Sequence, residues 1–342
     1  MPIDNNVSRR QVLAAAGVGA GLSIAGCTDG LGGNSGEGDS SGEELTFAST
    51  FQEGTLENIA IGKLKEKVEA ETDGELTINH VPGGAYGGEE EMTQTLSNGG
   101  LDGMGAGPLP IAMWAPEVWF HSSPFIMDDF EHLVRVNNSE LLQSSYEKIR
   151  NEHNVRALGD PLYVGWRSMT SNEAVRTVED FQGFQLRETP IGTWIDTWEE
   201  IGVNTTTTPS DEVYSSLESG VADATTSDAN QALSMSLHEV QDYFVEVEYL
   251  VGNRNLWINE NVFAGLDESH QDLILEKAQE ASEETTQQGK DQEQETLDEL
   301  ESNGMEIVSD VDREGLRDAA RPYIEEQFDT AWEGTWEEVR NI

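Results

Sequence analysis

Two arginines stand where a guanidinium could meet a small anion. The stretch Tyr163-Val164-Gly165-Trp166-Arg167-Ser168 reads as a strand carrying Arg167, and Phe184-Gln185-Leu186-Arg187 as a second strand that ends in Arg187. A guanidinium is planar, always charged, and can give two parallel hydrogen bonds to one carboxylate. In open α/β sheets, ligands sit outside the ends of the strands. The competing role for either arginine is an ion pair, in a chain with 66 acidic residues against 19 Lys and Arg. Other candidates lie at the ends of the predicted elements. Thr50 and Phe51 close the first strand, and Gly107 closes another. Trp194 and Trp198 sit four apart on one predicted helix, a spacing that more often means packing, with Trp194 the one placed to stack on a ligand.

Catalytic patterns are missing. The six histidines are scattered, with no His-Glu-x-x-His, and no Gly-x-Ser-x-Gly occurs. The glycine-rich run Gly83 to Gly88 is followed by Glu89-Glu90-Glu91, which would repel phosphate, and no Gly-Lys-Ser/Thr completes a phosphate loop. Cys27 is the single cysteine, so neither a disulfide framework nor a cysteine-based metal site can form. Paired carboxylates occur by chance among 66 acids and do not by themselves argue for glycoside hydrolysis. The expectation is no enzyme, no cofactor and no metal.

The elements that must carry these residues read as α/β. Leu45 to Ala48 and the alternating Glu75 to Val81 predict strands on either side of a helix over 55–71. A helix over 89–98 and a short strand from Leu101 to Gly107 follow. Beyond Arg187 come a helix over 191–201, a Thr-rich strand at Val203 to Thr207 and a helix over 211–219. Residues 266–302 form one long polar helix, Met305 to Val308 a late strand, and 313–341 helix again. Strands alternating with helices predict a mainly parallel sheet.

The N-terminus is an address. Arg9-Arg10 precede a short apolar run that ends in Leu22-Ser23-Ile24-Ala25-Gly26-Cys27. Paired arginines before such a run predict twin-arginine export, and small residues before Cys27 predict lipidation there. Residues 28–43 are Gly, Ser and acids, the composition of a flexible tether. With 342 residues the chain has room for two domains. Its formal charge of −47 is spread along the chain and implies an acidic, hydrated surface. Self-repulsion on that scale is screened at about 1 M salt, where the Debye length falls to roughly 3 Å, so molar salt is the expected medium. No basic patch exists for nucleic acid.

Four stretches carry a resemblance to a known family. They are Pro82-Gly83-Gly84-Ala85-Tyr86-Gly87-Gly88-Glu89-Glu90-Glu91 with Gly100-Leu101-Asp102-Gly103-Met104, then Ser123-Pro124-Phe125-Ile126-Met127-Asp128-Asp129, then Phe181 to Arg187, and finally Asp211-Glu212-Val213-Tyr214 through Gly220-Val221-Ala222-Asp223. In this order they resemble the extracytoplasmic solute-binding proteins of TRAP transporters, the DctP family. The resemblance implies a two-lobed clamshell with crossing strands and a long connecting helix. It places lobe I at 44–163 and 253–292, and lobe II at 164–252 and 293–342, behind a signal at 1–27. It implies capture of a small organic carboxylate outside the cell membrane, held there by the lipid anchor, and delivery to TRAP membrane subunits. An ATP-driven importer or a sensory receptor is the alternative destination. By the same resemblance Arg187 binds the ligand carboxylate, Arg167 is a second contact, and Tyr214 lies at the cleft. Ser227 falls near a position where acid-sugar-binding relatives carry asparagine, which argues against sialic acid.

Overall fold

A computed structural model describes residues 43–209 and 212–342. The export signal, Cys27, all but the last residue of the tether, and Asp211 lie outside the described residues.

The first βα unit follows its sequence pattern. Strand β1 (Glu43–Ala48) pairs in parallel with β2 (Leu76–Val81), and helix α1 (Leu56–Glu71) connects them. Leu56, Ala60, Ile61, Leu64 and Val68 recur at helical spacing and are the apolar residues that α1 buries, beside the polar Glu57 and Asn58. Ala60, Ile61, Leu64 and Val68 form one core with Phe47, Leu76 and Ile78 of the sheet and Ile274 and Ala278 of the long helix. Helix α2 (Glu89–Ser97) leads into β3 (Gly103–Ala106), which lies parallel to β1. Short α3 (Leu109–Trp114), α4 (Phe130–Asn137) and α5 (Glu140–His153) then bring the chain to the centre of the sheet.

Two 17-residue strands form that centre, β4 (Val155–Ser171) and β8 (Tyr243–Asn259). They run antiparallel to each other, β8 antiparallel to β3, and β4 antiparallel to β7 (Ala224–Ser227). Beyond β7 lie β5 (Gln185–Arg187) and β6 (Asn204–Thr206), both in parallel pairings. The order is β2-β1-β3-β8-β4-β7-β5-β6, with β9 (Glu306–Val308) parallel to β8. The sheet is therefore mixed, and the expectation of a mainly parallel sheet is corrected at its middle. The reason is visible in the register. Bulges shift the β4–β8 pairing three times, between Leu158 and Leu162, between Tyr163 and Trp166, and between Arg167 and Met169. Each irregularity resets the alternation of buried and exposed side chains, so one long strand reads as several short ones.

The remaining helices are α6 (Gly192–Ile201), α7 (Val213–Glu218), α8 (Ala229–Ser234), α9 (Glu260–Gly265), α10 (Glu268–Ser302), α11 (Arg313–Thr330) and α12 (Trp336–Arg340). At 1.5 Å per residue, α10 is roughly 52 Å long, and it packs on α1, β4, α8 and β9. It approaches β4 closely at Gly289, where a Cβ would stand 2.5 Å from the Tyr163 carbonyl oxygen. The two crossing strands meet as tightly at Gly252, where a Cβ would lie 2.5 Å from the Gly165 oxygen.

Candidate functional site

Four strands and one helix converge on a buried polar cluster at the centre of the sheet. The pairing of β4 with β8 sets Arg167 opposite Leu250, one residue from Tyr249. Strand β7 carries Thr226 between β4 and β5, and Glu188 follows Arg187 at the end of β5. Helix α6 packs Trp194 and Trp198 against Tyr249, with ring centroids 6.2 and 5.3 Å away.

The hydrogen bonds within the cluster run in one direction. Arg167 donates from Nε to the Tyr249 hydroxyl at 3.0 Å and from a terminal nitrogen to the Thr226 hydroxyl at 3.4 Å. Each hydroxyl has a single proton, and both pass it on to Glu188: Thr226 at 2.6 Å and Tyr249 at 3.4 Å. Glu188 also accepts from the Thr189 amide at 2.6 Å and the Trp198 indole at 3.0 Å. Burial pushes the Glu188 carboxyl above its usual range, against the pull of Arg167, Thr226, Thr189 and Trp198. All four hydrogen-bonded neighbours are donors, which is the environment of an ionised carboxylate. Burial also raises the Tyr249 phenol, so it stays protonated and can donate. For Arg167 burial alone would lower the pKa. Tyr249, Glu188 and Asp228 outweigh it and hold the group above its ordinary value.

Arg187 is 3 % exposed. It donates to the Thr208 carbonyl at 2.7 Å, while its buried Nε–H has no acceptor among the described residues. Burial lowers its pKa, Glu188 raises it, and Arg167 lowers it again, so the two guanidiniums lie within each other's field. Neither has a carboxylate within 4 Å among the described residues. All six lysines have such a partner, as do Arg150, Arg156, Arg176, Arg254, Arg317, Arg321 and Arg340, whereas Arg135 and Arg313 donate to main-chain oxygens.

Two cavities open beside the cluster, and Arg167 and Arg254 line both. One is about 600 Å³ and is bordered by Phe51, Glu57 and Asp228. The other is about 280 Å³ and is bordered by Glu89, Gly107, Trp119 and Trp194. The Arg167 guanidinium lies 5.1 Å from the Trp194 ring centroid, and the Trp194 indole donates to the Ser122 carbonyl at 2.9 Å. Arg254 pairs with Glu57 at 3.3 Å and lies over Phe51.

Behind the cluster, β8 makes its widest bulge. Between Val245 and Leu250 it inserts four residues opposite Ser168 alone. Glu248 takes a left-handed backbone there, with φ of 48°. Arg313 of α11 holds the bulge by donating to the carbonyls of Glu248 at 2.8 Å, Asp128 at 2.9 Å and Met127 at 2.8 Å. A third cavity, about 320 Å³, opens on the bulge and faces Glu246, Glu248 and Glu293. Burial, with like charges nearby, raises the pKa of each of these carboxyls. Glu293 ties α10 to β4, accepting from the Tyr163 hydroxyl at 2.5 Å and the Trp166 amide at 2.7 Å.

Of the residues singled out from the sequence, Arg167, Trp194, Phe51 and Gly107 stand on the walls of the two cavities, while Arg187 lies in the buried cluster beside Arg167 and lines neither cavity. Thr50 is half-buried beyond β1 and lines neither cavity. Ser227 is buried, with its hydroxyl donated to the Asp228 carbonyl. Tyr214 lies outside both cavities and donates to Glu239 at 3.0 Å. Sequence reasoning missed Glu188, Thr226 and Tyr249. Glu188, directly after Arg187, carried a signal, but one acid among 66 does not stand out. Among the described residues no group of His, Cys, Asp or Glu is arranged to hold a metal, and no helix is long and apolar enough to cross a membrane.

Comparison with known proteins agrees with this architecture. The family model described as bacterial extracellular solute-binding protein, family 7 (DctP) matches residues 47–331. The sialic acid-binding periplasmic protein SiaP of Vibrio cholerae is 27 % identical over 277 residues, covering 81 % of this chain and 85 % of its own. A TRAP periplasmic solute-binding protein from Escherichia fergusonii, solved in an apo open form, superposes with a TM-score of 0.80 at 22 % identity, covering 88 % of this chain and 99 % of the other. One from Pseudomonas putida with bound D-glucuronate gives 0.71 at 22 % identity, covering 87 % and 97 %. The fold is the two-lobed α/β fold of these binding proteins. The chain belongs to family 7 of the bacterial extracellular solute-binding proteins, and its role is to bind a solute, not to catalyse a reaction.

Proposed function

We propose that this protein captures a small organic carboxylate between its lobes and delivers it to the membrane subunits of a TRAP-type transporter. The observation that carries the reading is the arginine pair. In a chain of charge −47, Arg167 and Arg187 lie together in the fold with no carboxylate within 4 Å among the described residues, and the buried Arg187 Nε–H has no acceptor there. A buried donor without a partner costs about 1–3 kcal/mol, which a ligand carboxylate would recover. The bound solutes of relatives support the class, since both sialic acid and D-glucuronate carry a carboxylate. The cavities on either side of Arg167 belong to one cleft.

The lobes divide at the crossing, lobe I comprising 44–163 and 253–292 and lobe II 164–252 and 293–342. The pairing of Tyr163 with Asn253 supports the boundary, since both strands pass from one lobe to the other at the same level. Ligand that touches both lobes would favour the closed form by differential affinity. The body is exported by the twin-arginine route and tethered through lipid on Cys27, and it works in molar salt. These readings rest on Arg9-Arg10, the small residues before Cys27, and the charge balance.

Thermal unfolding of the mature protein in about 2 M KCl against a panel of organic acids tests the function. A ligand at 100 times its Kd adds about 2.7 kcal/mol of stability. The stabilising acid should lose that effect in Arg187→Ala. A panel that stabilises nothing, or an effect undiminished in Arg187→Ala and Arg167→Ala, refutes the carboxylate reading.

A further inference from the structure

The charge of the cluster counts the charges its ligand can carry. Arg167 and Arg187 bring two positive charges, and Glu188, fully buried at the end of β5, brings one negative charge linked to Arg167 through two hydroxyls. Counted over these three groups, the cluster carries one net positive charge, not two, and Arg167 is the member of the three that lines the cavities. Around it, the carboxylates that line the cavities are already engaged: Glu57 with Arg254, Glu89 with the Gly107 amide at 2.8 Å, and Asp228 with the Gln231 amide at 2.8 Å. None supplies a cation for a second carboxylate, and each would repel one. Arg254, the other guanidinium on the cavity walls, is occupied by Glu57 and the Asn253 carbonyl.

We propose that Glu188 is a specificity-determining residue that restricts the site to monocarboxylates. The proposal rests on the carboxylate reading above and narrows it. Glu188 does not touch the ligand. It neutralises one of the two guanidiniums from behind, and the Tyr249 and Thr226 hydroxyls carry that effect to Arg167 without bringing the carboxylate to the cavity wall. With Glu188 neutral, the same two guanidiniums would present two uncompensated positive charges, and a second carboxylate would no longer be excluded by charge. In concentrated salt only charges in or next to contact are felt, so a residue at this position outweighs the distant acidic surface.

Matched pairs of acids that differ by one carboxylate test this: D-gluconate with D-glucarate, lactate with malate, and benzoate with phthalate. They are titrated into the mature protein and into Glu188→Gln in about 2 M KCl, by calorimetry and by thermal shift. The wild-type protein should bind the monoacid of its preferred pair at least tenfold more tightly than the diacid. In Glu188→Gln that ratio should fall by about tenfold or invert. A wild-type preference for the diacid overturns the proposal without any variant, so a Glu188→Gln protein that fails to fold does not shelter it. An unchanged ratio in a folded Glu188→Gln also overturns it. Failure of every acid to bind the wild-type protein refutes the carboxylate reading itself, and is distinct from binding without discrimination, which refutes only the role of Glu188.

Discussion

Glu248→Gly should stabilise the protein at neutral pH, although it removes a side chain from the most irregular part of a central strand. Glu248 holds φ at 48°, in the left-handed region that costs an ordinary residue about 1–2 kcal/mol. Glycine removes that cost and returns roughly 0.5–1 kcal/mol to the unfolded chain as backbone entropy. The backbone contacts are untouched, since the Glu248 amide donates to Ser168 and its carbonyl accepts from Arg313. The carboxyl itself has no hydrogen bond among the described residues. It shares a cavity with Glu246, Glu293, Asp129 and Glu131, faced by Lys290 and, from α11, Arg313. Burial raises its pKa in the folded protein above the unfolded value of 4.5. A raised carboxyl favours the fold fully below the unfolded pKa, and that contribution is lost as pH rises through the folded one. The ionised group therefore works against folding at pH 7, and its removal adds to the gain from glycine. The net expectation is about 1 kcal/mol of stabilisation, roughly 2 °C in Tm for a body of this size, shrinking as pH falls toward 4.5. Melting curves of both proteins at pH 7 and pH 4.5 in about 2 M KCl measure it. A Tm lowered by more than about 2 °C at pH 7, or a gain that grows toward acid pH, refutes the reasoning.

Other predictions follow from buried groups and close contacts. Burial depresses His121 to about 4. Its stabilising contribution is therefore complete above pH 6.5 and falls as pH drops, by about 3 kcal/mol at pH 4, and His121→Gln should flatten that acid limb of the stability curve. At Gly289→Ala the new Cβ would stand 2.5 Å from the Tyr163 oxygen. Overpacking against backbone should cost about 1–3 kcal/mol in chemical denaturation.

Much of the fold was legible because its helices obey a simple period. The apolar spacing along α1 and the long polar run of α10 placed both to within a residue or two. The crossing strands were not legible as wholes. Gly165 and Glu248 both have positive φ at register breaks of the β4–β8 ladder, and alternation cannot be followed through such points. Arg167 and Arg187 could be chosen because guanidinium chemistry is specific and a family pattern pointed to them. Glu188 could not. Its burial depends on donors from β7, β8 and α6, three segments brought to it by tertiary structure. A local reading sees only another acid on an acidic chain.

The one-way hydrogen bonding of the cluster has a consequence for the thermodynamics of capture. Both relay hydroxyls have their protons committed to Glu188 and their lone pairs to Arg167, so neither can rotate without breaking a bond to a charged group. The dipoles that support Arg167 are thus oriented when the chain folds, not when solute arrives. Little reorganisation is left for the binding step, and no group in the chain of donors needs to gain or lose a proton. Capture should accordingly be proton-neutral: the heat of binding should be the same in buffers of different ionisation enthalpy, and the coupling ion of transport need not be handled by this subunit.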